Sequence, residues 1–505
     1  MGKFRTCFRR ILLAFGLAVV AVVFLYLVID WRDGHAWNAY YRSVDKPGAS
    51  LDFHSYIPKE IPDANNFGAT AVVQSWFKND TNVVFDHDAY SKAGKLIHSP
   101  TQEPSCRQML DLVMWRDALA AVRAGEKGPQ GGFRSGKLNA ESRAQAAGYI
   151  LKTWTDDDAA IKELRAASAR SQTRYPIVYA TSNPFAIAVP HLARLGQACD
   201  RLQLRACAGL AAGQSDDALG DIQLIFYLAD TLKSEPMVVS YLFQLSRLRM
   251  AVQAVWEGLI GHRWTDAQLQ QLQASLEQRD LPSEAQGPLH AERAAVTFAV
   301  EAVKGQGTNF LTDPFDDCDD YEGLTADMVR WLTPSGWFDM EKLHYCQHSD
   351  VLVMAAFDGT QKRVFPHQAA ALQAWLDSPE ERSSWRVVFR HDILARALLP
   401  GLGRIPFKTT RCQVEVDQCA VACALERYRR ANGKYPASLQ ALTPRFMTQL
   451  PNDVLTGEPY KYHLTDDGQF VLYSVGWNEK DDGGVPGQTI FDQEKGDWVW
   501  DTVAR

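Results

Sequence analysis

Residues Ile11 to Ile29 form an unbroken apolar run of nineteen positions, and a run without a polar face must be buried in protein or in lipid. At helical rise it spans ~28 Å, close to the hydrocarbon core of a bilayer. Lys3, Arg5, Arg9 and Arg10 precede it with no acid among them, which predicts a cytoplasmic N-terminus. A cleaved signal peptide is the competing reading. The run is long for one, and the small-x-small site Gly34-His35-Ala36 lies beyond charged Asp30, Arg32 and Asp33. An uncleaved anchor is therefore expected, with everything after Asp30 outside the cytoplasm.

A chain of 505 residues exceeds what one hydrophobic core usually supports, so two or three folding units are expected. Setting aside the four leading cations leaves 49 basic against 60 acidic residues, hence −11 beyond the membrane. That disfavours a nucleic-acid partner, because such binding rests on Lys and Arg displacing phosphate counterions. Eight of the nine cysteines would face a compartment that permits disulfides. Their connectivity is not readable from spacing, and Cys419 and Cys423, one helical turn apart, are expected as packed thiols.

Four segments follow from the pattern: 1–30 as cytoplasmic tip and transmembrane anchor, 31–136 as tether and N-terminal ectodomain segment, 137–407 as a helical domain, and 408–505 as a C-terminal domain. Pro47-Gly48, Ile57-Pro58 and Ile61-Pro62-Asp63 break helix in the tether, and Ala71 to Phe77 is apolar enough for a strand. Gly125 to Gly136 reads as an exposed loop. Thr155-Asp156-Asp157-Asp158 offers a helix start. From His191 to Gln286 four amphipathic helices are expected, the second after Gly213-Gln214-Ser215-Asp216-Asp217, the third opened by Glu235-Pro236, the fourth capped by Thr265-Asp266. The turn Ala212 to Ala218 resembles the hinge of paired helices in tetratricopeptide repeats. No second copy recurs at a fixed period, so an irregular helical layer is expected. A further helical stretch is read over Val364 to Ala397, and Asp313 to Glu322, with six carboxylates in ten positions, reads as a solvated acidic loop.

His344 and His348 lie four apart, which on a helix puts both imidazoles on one face, a placement that suits zinc. No Glu follows His344 as in a zinc-protease motif, and the sequence identifies no third ligand. Neither a Gly-x-Ser-x-Gly elbow, a phosphate-binding Gly-rich loop, nor a Cys-x-x-Cys pair is present. Asp86, Asp88 and Glu292-Arg293 are acids and ion pairs of the kind any large chain supplies.

The C-terminal segment is more distinctive. Cys412, Val416, Cys419 and Cys423 form the apolar stripe of a helix over Lys408 to Asn432, with Glu415, Asp417 and Glu426 on the remainder. Gly433 supplies its cap, Asp467-Gly468 joins two strands, and Asp497-Trp498-Val499-Trp500 offers a third. Ala424-Leu425-Glu426-Arg427-Tyr428, Asn432-Gly433-Lys434-Tyr435-Pro436, Leu450-Pro451-Asn452-Asp453, Gly457-Glu458-Pro459-Tyr460-Lys461-Tyr462 and Leu472-Tyr473-Ser474-Val475-Gly476 follow in order. Together they resemble the globular part of type II secretion pseudopilins of the major, G type. The resemblance covers under a fifth of the chain. It implies a calcium-binding tail, which carries over to Asn478, Asp481, Asp482 and Asp497, with Asn478 where an Asp is usual. Nearly four hundred residues separate anchor and module, and Arg10-Ile11-Leu12-Leu13 lacks the prepilin cleavage site and Glu, so this chain is not expected to polymerise. The whole plan resembles membrane-anchored proteins of planctomycetes and verrucomicrobia, which implies a bacterial inner-membrane protein with its body in the periplasm.

The expected fold is mainly α with a small α+β C-terminal domain: an N-terminal transmembrane helix, an irregular helical middle, and a C-terminal helix with a short antiparallel sheet. The expected function is a membrane-anchored envelope scaffold or binding protein, secretion-related, with an envelope protein partner and no cofactor read from the residues; calcium enters only as what the resemblance implies. The alternative is an envelope hydrolase with zinc at His344 and His348.

Overall fold

Helix α1 (Gly2–Val44) runs 43 residues without a break, about 64 Å at helical rise. In the computed structural model, which describes residues 2–46, 48–77, 87–97, 107–129, 132–133, 140–153, 158–179, 183–306, 333–378, 387, 390–489 and 492–502, the helix bears the apolar run on a fully exposed surface. It is long and apolar enough to cross a membrane. It does not stop at Asp30. Trp31 to Val44, expected as tether, continue the same helix, because no breaker intervenes before Pro47-Gly48 and an apolar face persists at helical spacing. That face buries Trp37 against α12 (Ser335–Leu352).

The rest of the expected tether is also packed. Asn66 accepts from Gly68 N at 2.9 Å and Arg174 N at 2.8 Å, while its amide donates to Arg174 O at 3.1 Å. Phe67 is fully buried between Trp76, Tyr175 and Tyr227. Ala71–Phe77, expected as a strand, is helix α2, with Val72, Val73 and Trp76 buried. A short apolar run fits either period, so packing decides. Helices α3 (His87–Leu96), α4 (Leu112–Ala124), α5 (Ala140–Thr153) and α6 (Asp158–Ala167) follow. The acidic stretch Asp313 to Glu322 and the acids Thr155-Asp156-Asp157 sought as a cap lie outside the described residues, as does Asp86.

The expected four-helix stretch is present: α7 (Pro190–Ala211), α8 (Ser215–Asp230), α9 (Val238–Ile260) and α10 (Asp266–Glu277). Thr265 caps α10 in a full capping box with Gln268, a pairing that satisfies two orphan N–H groups. Helix α11 (Leu281–Gln306) leads towards α12. A two-residue hairpin, β1 (Phe357–Asp358) with β2 (Arg363–Val364), precedes α13 (Pro366–Asp377) and α14 (Ile393–Leu402).

Helix α15 (Ile405–Asn432) is the axis of the fold. It packs on α9, α10 and α11 and carries the C-terminal sheet against its other side. The expected stripe Cys412, Val416, Cys419 and Cys423 is buried, but so are Glu415, Gln418 and Glu426. The helix is covered nearly all round. Gly433 ends it at φ 78°, its N–H reaching Arg429 O at 2.7 Å, the left-handed cap read from sequence. Strands β3 (Lys461–Leu464), β4 (Phe470–Ser474) and β5 (Trp498–Trp500) form an antiparallel sheet in which Tyr462 pairs with Leu472 and Leu472 with Trp500. Among the described residues Cys199, Cys207, Cys346, Cys412, Cys419 and Cys423 are buried free thiols.

Candidate functional site

Four-residue spacing sets Phe407, Arg411 and Glu415 on one face of α15, with Lys408 beside them. Opposite, α9 presents Leu242, Leu245 and Arg249 at three- and four-residue steps. Between the two helices and Arg107 opens a cleft of about 480 Å³. Arg107 is held there by the chain's far end: its backbone N–H donates to Asp501 Oδ2 at 2.6 Å, and Trp256 Nε1 donates to Asp501 O at 2.8 Å.

Glu415, 3% exposed, is the hub. Arg249 donates from Nε to Oε2 at 3.0 Å and Arg411 from Nε to Oε1 at 3.0 Å, while Arg107 Nη2 lies 3.2 Å from Oε2. Burial alone would raise the Glu415 carboxyl, but Arg249, Arg107 and Arg411 outweigh it and hold the group well below the usual carboxylate range. Burial pushes the Arg411 guanidinium down to about 10 against the pull of Glu415, so it stays charged at neutral pH. Aromatic faces set the two more buried cations: Arg411 lies 4.9 Å from the Trp498 ring centre and Arg107 5.2 Å from that of Trp500. The arrangement concentrates guanidinium donors in a partly covered space with an apolar side.

A second cleft, about 470 Å³, opens on another face of α15 beside Asp417 and Asp453. Burial pushes the Asp417 carboxyl up to about 7, with the charges of Asp453 and Asp280 adding to it. Both its oxygens are engaged, accepting from Gln413 Nε2 at 2.8 Å and Tyr460 OH at 2.9 Å. The carboxyl serves the packing of α15 against the loop before β3.

The residues read from sequence fall elsewhere. His344 and His348 share one face of α12, their rings parallel to within 9° and 6.3 Å apart. Asp392 sits against both, 3.3 Å from His344 Nδ1 and 3.5 Å from His348 Nε2. Asp392 thus ties α12 to α14 at these two rings, and hydrogen bonding to Asp392 raises the His344 pKa. Glu292 and Arg293 do not form a site: Arg293 turns to Asp350 and Ala49 O, while burial leaves the Glu292 carboxyl at about 7. Triad-type residues His191, Glu235 and Ser240 do meet, but Glu235 stands between the other two and all are fully buried. A nucleophile must touch its base, so this trio is structural.

In the C-terminal loop, Asp497 accepts from Asp482 N at 3.2 Å and Gly484 N at 2.6 Å, and Asp482 Oδ2 accepts from Gly496 N at 3.1 Å. Asp481 Oδ1 accepts from Tyr473 OH and Gly483 N, both at 3.0 Å, and Asn478 donates to Glu494 O at 3.2 Å. The carboxylates bind the loop's own N–H groups instead of converging on a point. Among the described residues no group of three or more His, Cys, Asp or Glu side chains is arranged to hold a metal ion. Sequence reasoning missed the Glu415 cleft. The one local signal was the Arg411/Glu415 pair on α15; Arg249 and Arg107 come from far along the chain.

No family model, curated protein or solved structure matches this chain.

Proposed function

We propose that the chain is a membrane-anchored envelope protein whose body binds a ligand or partner. The observation that carries this is the continuity of α1: one helix is bare and apolar along its first part and packed into the body along its last. At the junction Asp30 Oδ1 accepts from Gly336 N at 2.7 Å, capping α12. The cationic N-terminal residues support an inner-membrane orientation with the body in the periplasm. The pseudopilin-like order of motifs at the C-terminus supports a role near secretion, with an envelope protein as partner. Crosslinking of intact cells followed by recovery of the full chain tests the reading. A reproducible envelope partner, or a co-purifying small molecule, is the expected result. Recovery of neither would remove the binding role while leaving the anchor standing.

A further inference from the structure

We propose that the cleft between α9 and α15 binds a phosphate monoester carrying an apolar body. This deepens the binding reading and rests on it. The argument begins with charge. Arg107, Arg249, Lys408 and Arg411 line the cleft, and Glu415 is the one acidic side chain among its lining residues. Glu415 answers one positive charge of the four, and the Asp501 carboxylate stands beside Arg107, 2.6 Å from its backbone N–H, so cations still outnumber the acids at the cleft. The remainder repel each other across a space partly shut off from water, where such repulsion costs more than in bulk solvent. Arg411 is the least exposed of the three guanidiniums, at 11% against 16% for Arg107 and 33% for Arg249, and it meets Glu415 through Nε at 3.0 Å. A dianion seated beside it would reduce the excess and offer several acceptor oxygens to guanidinium forks, whose planar geometry matches phosphate.

The other lining gives the second half of the ligand. Leu242, Leu245, Met250 and Phe407 make a wall of hydrocarbon next to the cations, and Phe407 is fixed edge-on against Trp477 and Trp498 at 5.2 and 5.7 Å. A cleft with one apolar side and a few convergent polar groups is the usual form of a small-molecule site. Inorganic phosphate would satisfy the charges and leave this wall wet. A neutral apolar compound would do the reverse. A free monoester and the headgroup of a monoester phospholipid share the required chemistry.

The test uses the full chain in nanodiscs of zwitterionic lipid, titrated calorimetrically with phenyl phosphate, inorganic phosphate and phenol. Phenyl phosphate should bind saturably, inorganic phosphate about tenfold more weakly, and phenol not measurably, with affinity falling as salt rises. Arg411→Gln should weaken phenyl phosphate at least about tenfold, and exposed Lys408→Gln, which leaves the Glu415 hub intact, about threefold. Adding phosphatidic acid to the nanodisc distinguishes the sources: competition with phenyl phosphate assigns a lipid headgroup, and undiminished binding assigns a free monoester. Absence of saturable phenyl phosphate binding, or binding untouched by both substitutions, overturns the proposal. Saturable binding of phenol alone would overturn the anionic ligand but keep a binding protein.

Discussion

At the residue scale, Glu415 and Asp417 show how two acids two residues apart, on opposite sides of one helix, meet opposite fates. Glu415 is ionised because three guanidiniums surround it; removing its charge leaves those cations buried against each other. Glu415→Gln should cost about 3–5 kcal/mol of stability at neutral pH, read by chemical denaturation. The Glu415 carboxyl is lowered in the folded state, so its contribution is present at neutral pH and lost as acid protonates it. Asp417 runs the other way. Its folded pKa of about 7 lies above the ordinary 3.8, so between those values the folded chain holds a proton that the unfolded chain has released. Stability from this group is complete below about pH 4 and declines as pH rises through 7. Asp417→Asn should flatten that decline and gain about 4 kcal/mol at pH 8, with no difference from the parent near pH 4. An unchanged pH profile in thermal unfolding would contradict it. Neither fate was legible in sequence. Both acids read as the polar side of an amphipathic helix, because the period reports a helix's own faces and not what later covers them.

At the element scale, periodicity served well where one face alone is buried. The run α7 to α10, the Thr265 cap and the Gly433 stop all stand where spacing and turn chemistry placed them. It failed at Trp31–Val44 and Ala71–Phe77, where Gly, Pro or a short apolar run was given too much weight against long-range packing. The junction of α1 with α12 depends on close approach: a Cβ on Gly336 would fall 2.8 Å from Ile29 O and 2.9 Å from Asp30 Cα. Gly336→Val should force the two helices apart at a cost of about 1–3 kcal/mol. Asp30→Ala, which removes only the cap, should cost about 1 kcal/mol. Thermal unfolding of the full chain checks both, and equal, negligible effects would show that the junction is loose.

At the scale of the whole molecule, one unbroken helix carries both the apolar run and a segment packed into the body. Exposed Trp31 follows the apolar run directly, where amphipathic rings favour the membrane surface. Lys342, fully buried, lies 4.4 Å from the Trp37 ring centre and pairs with Asp339 at 2.9 Å, and Tyr40 donates to Asp350 at 2.6 Å. The sequence spoke clearly about the apolar run because membrane insertion is decided by about twenty consecutive residues. It was silent about the cleft because that site draws on residues more than three hundred positions apart, brought together by burial alone. The most direct test is protease accessibility in spheroplasts after alkaline carbonate extraction. The chain should stay with the membrane pellet, and protease added outside should digest the body, C-terminus included, down to a short anchored fragment. Release by carbonate, or a body protected until the membrane is opened, would contradict the account.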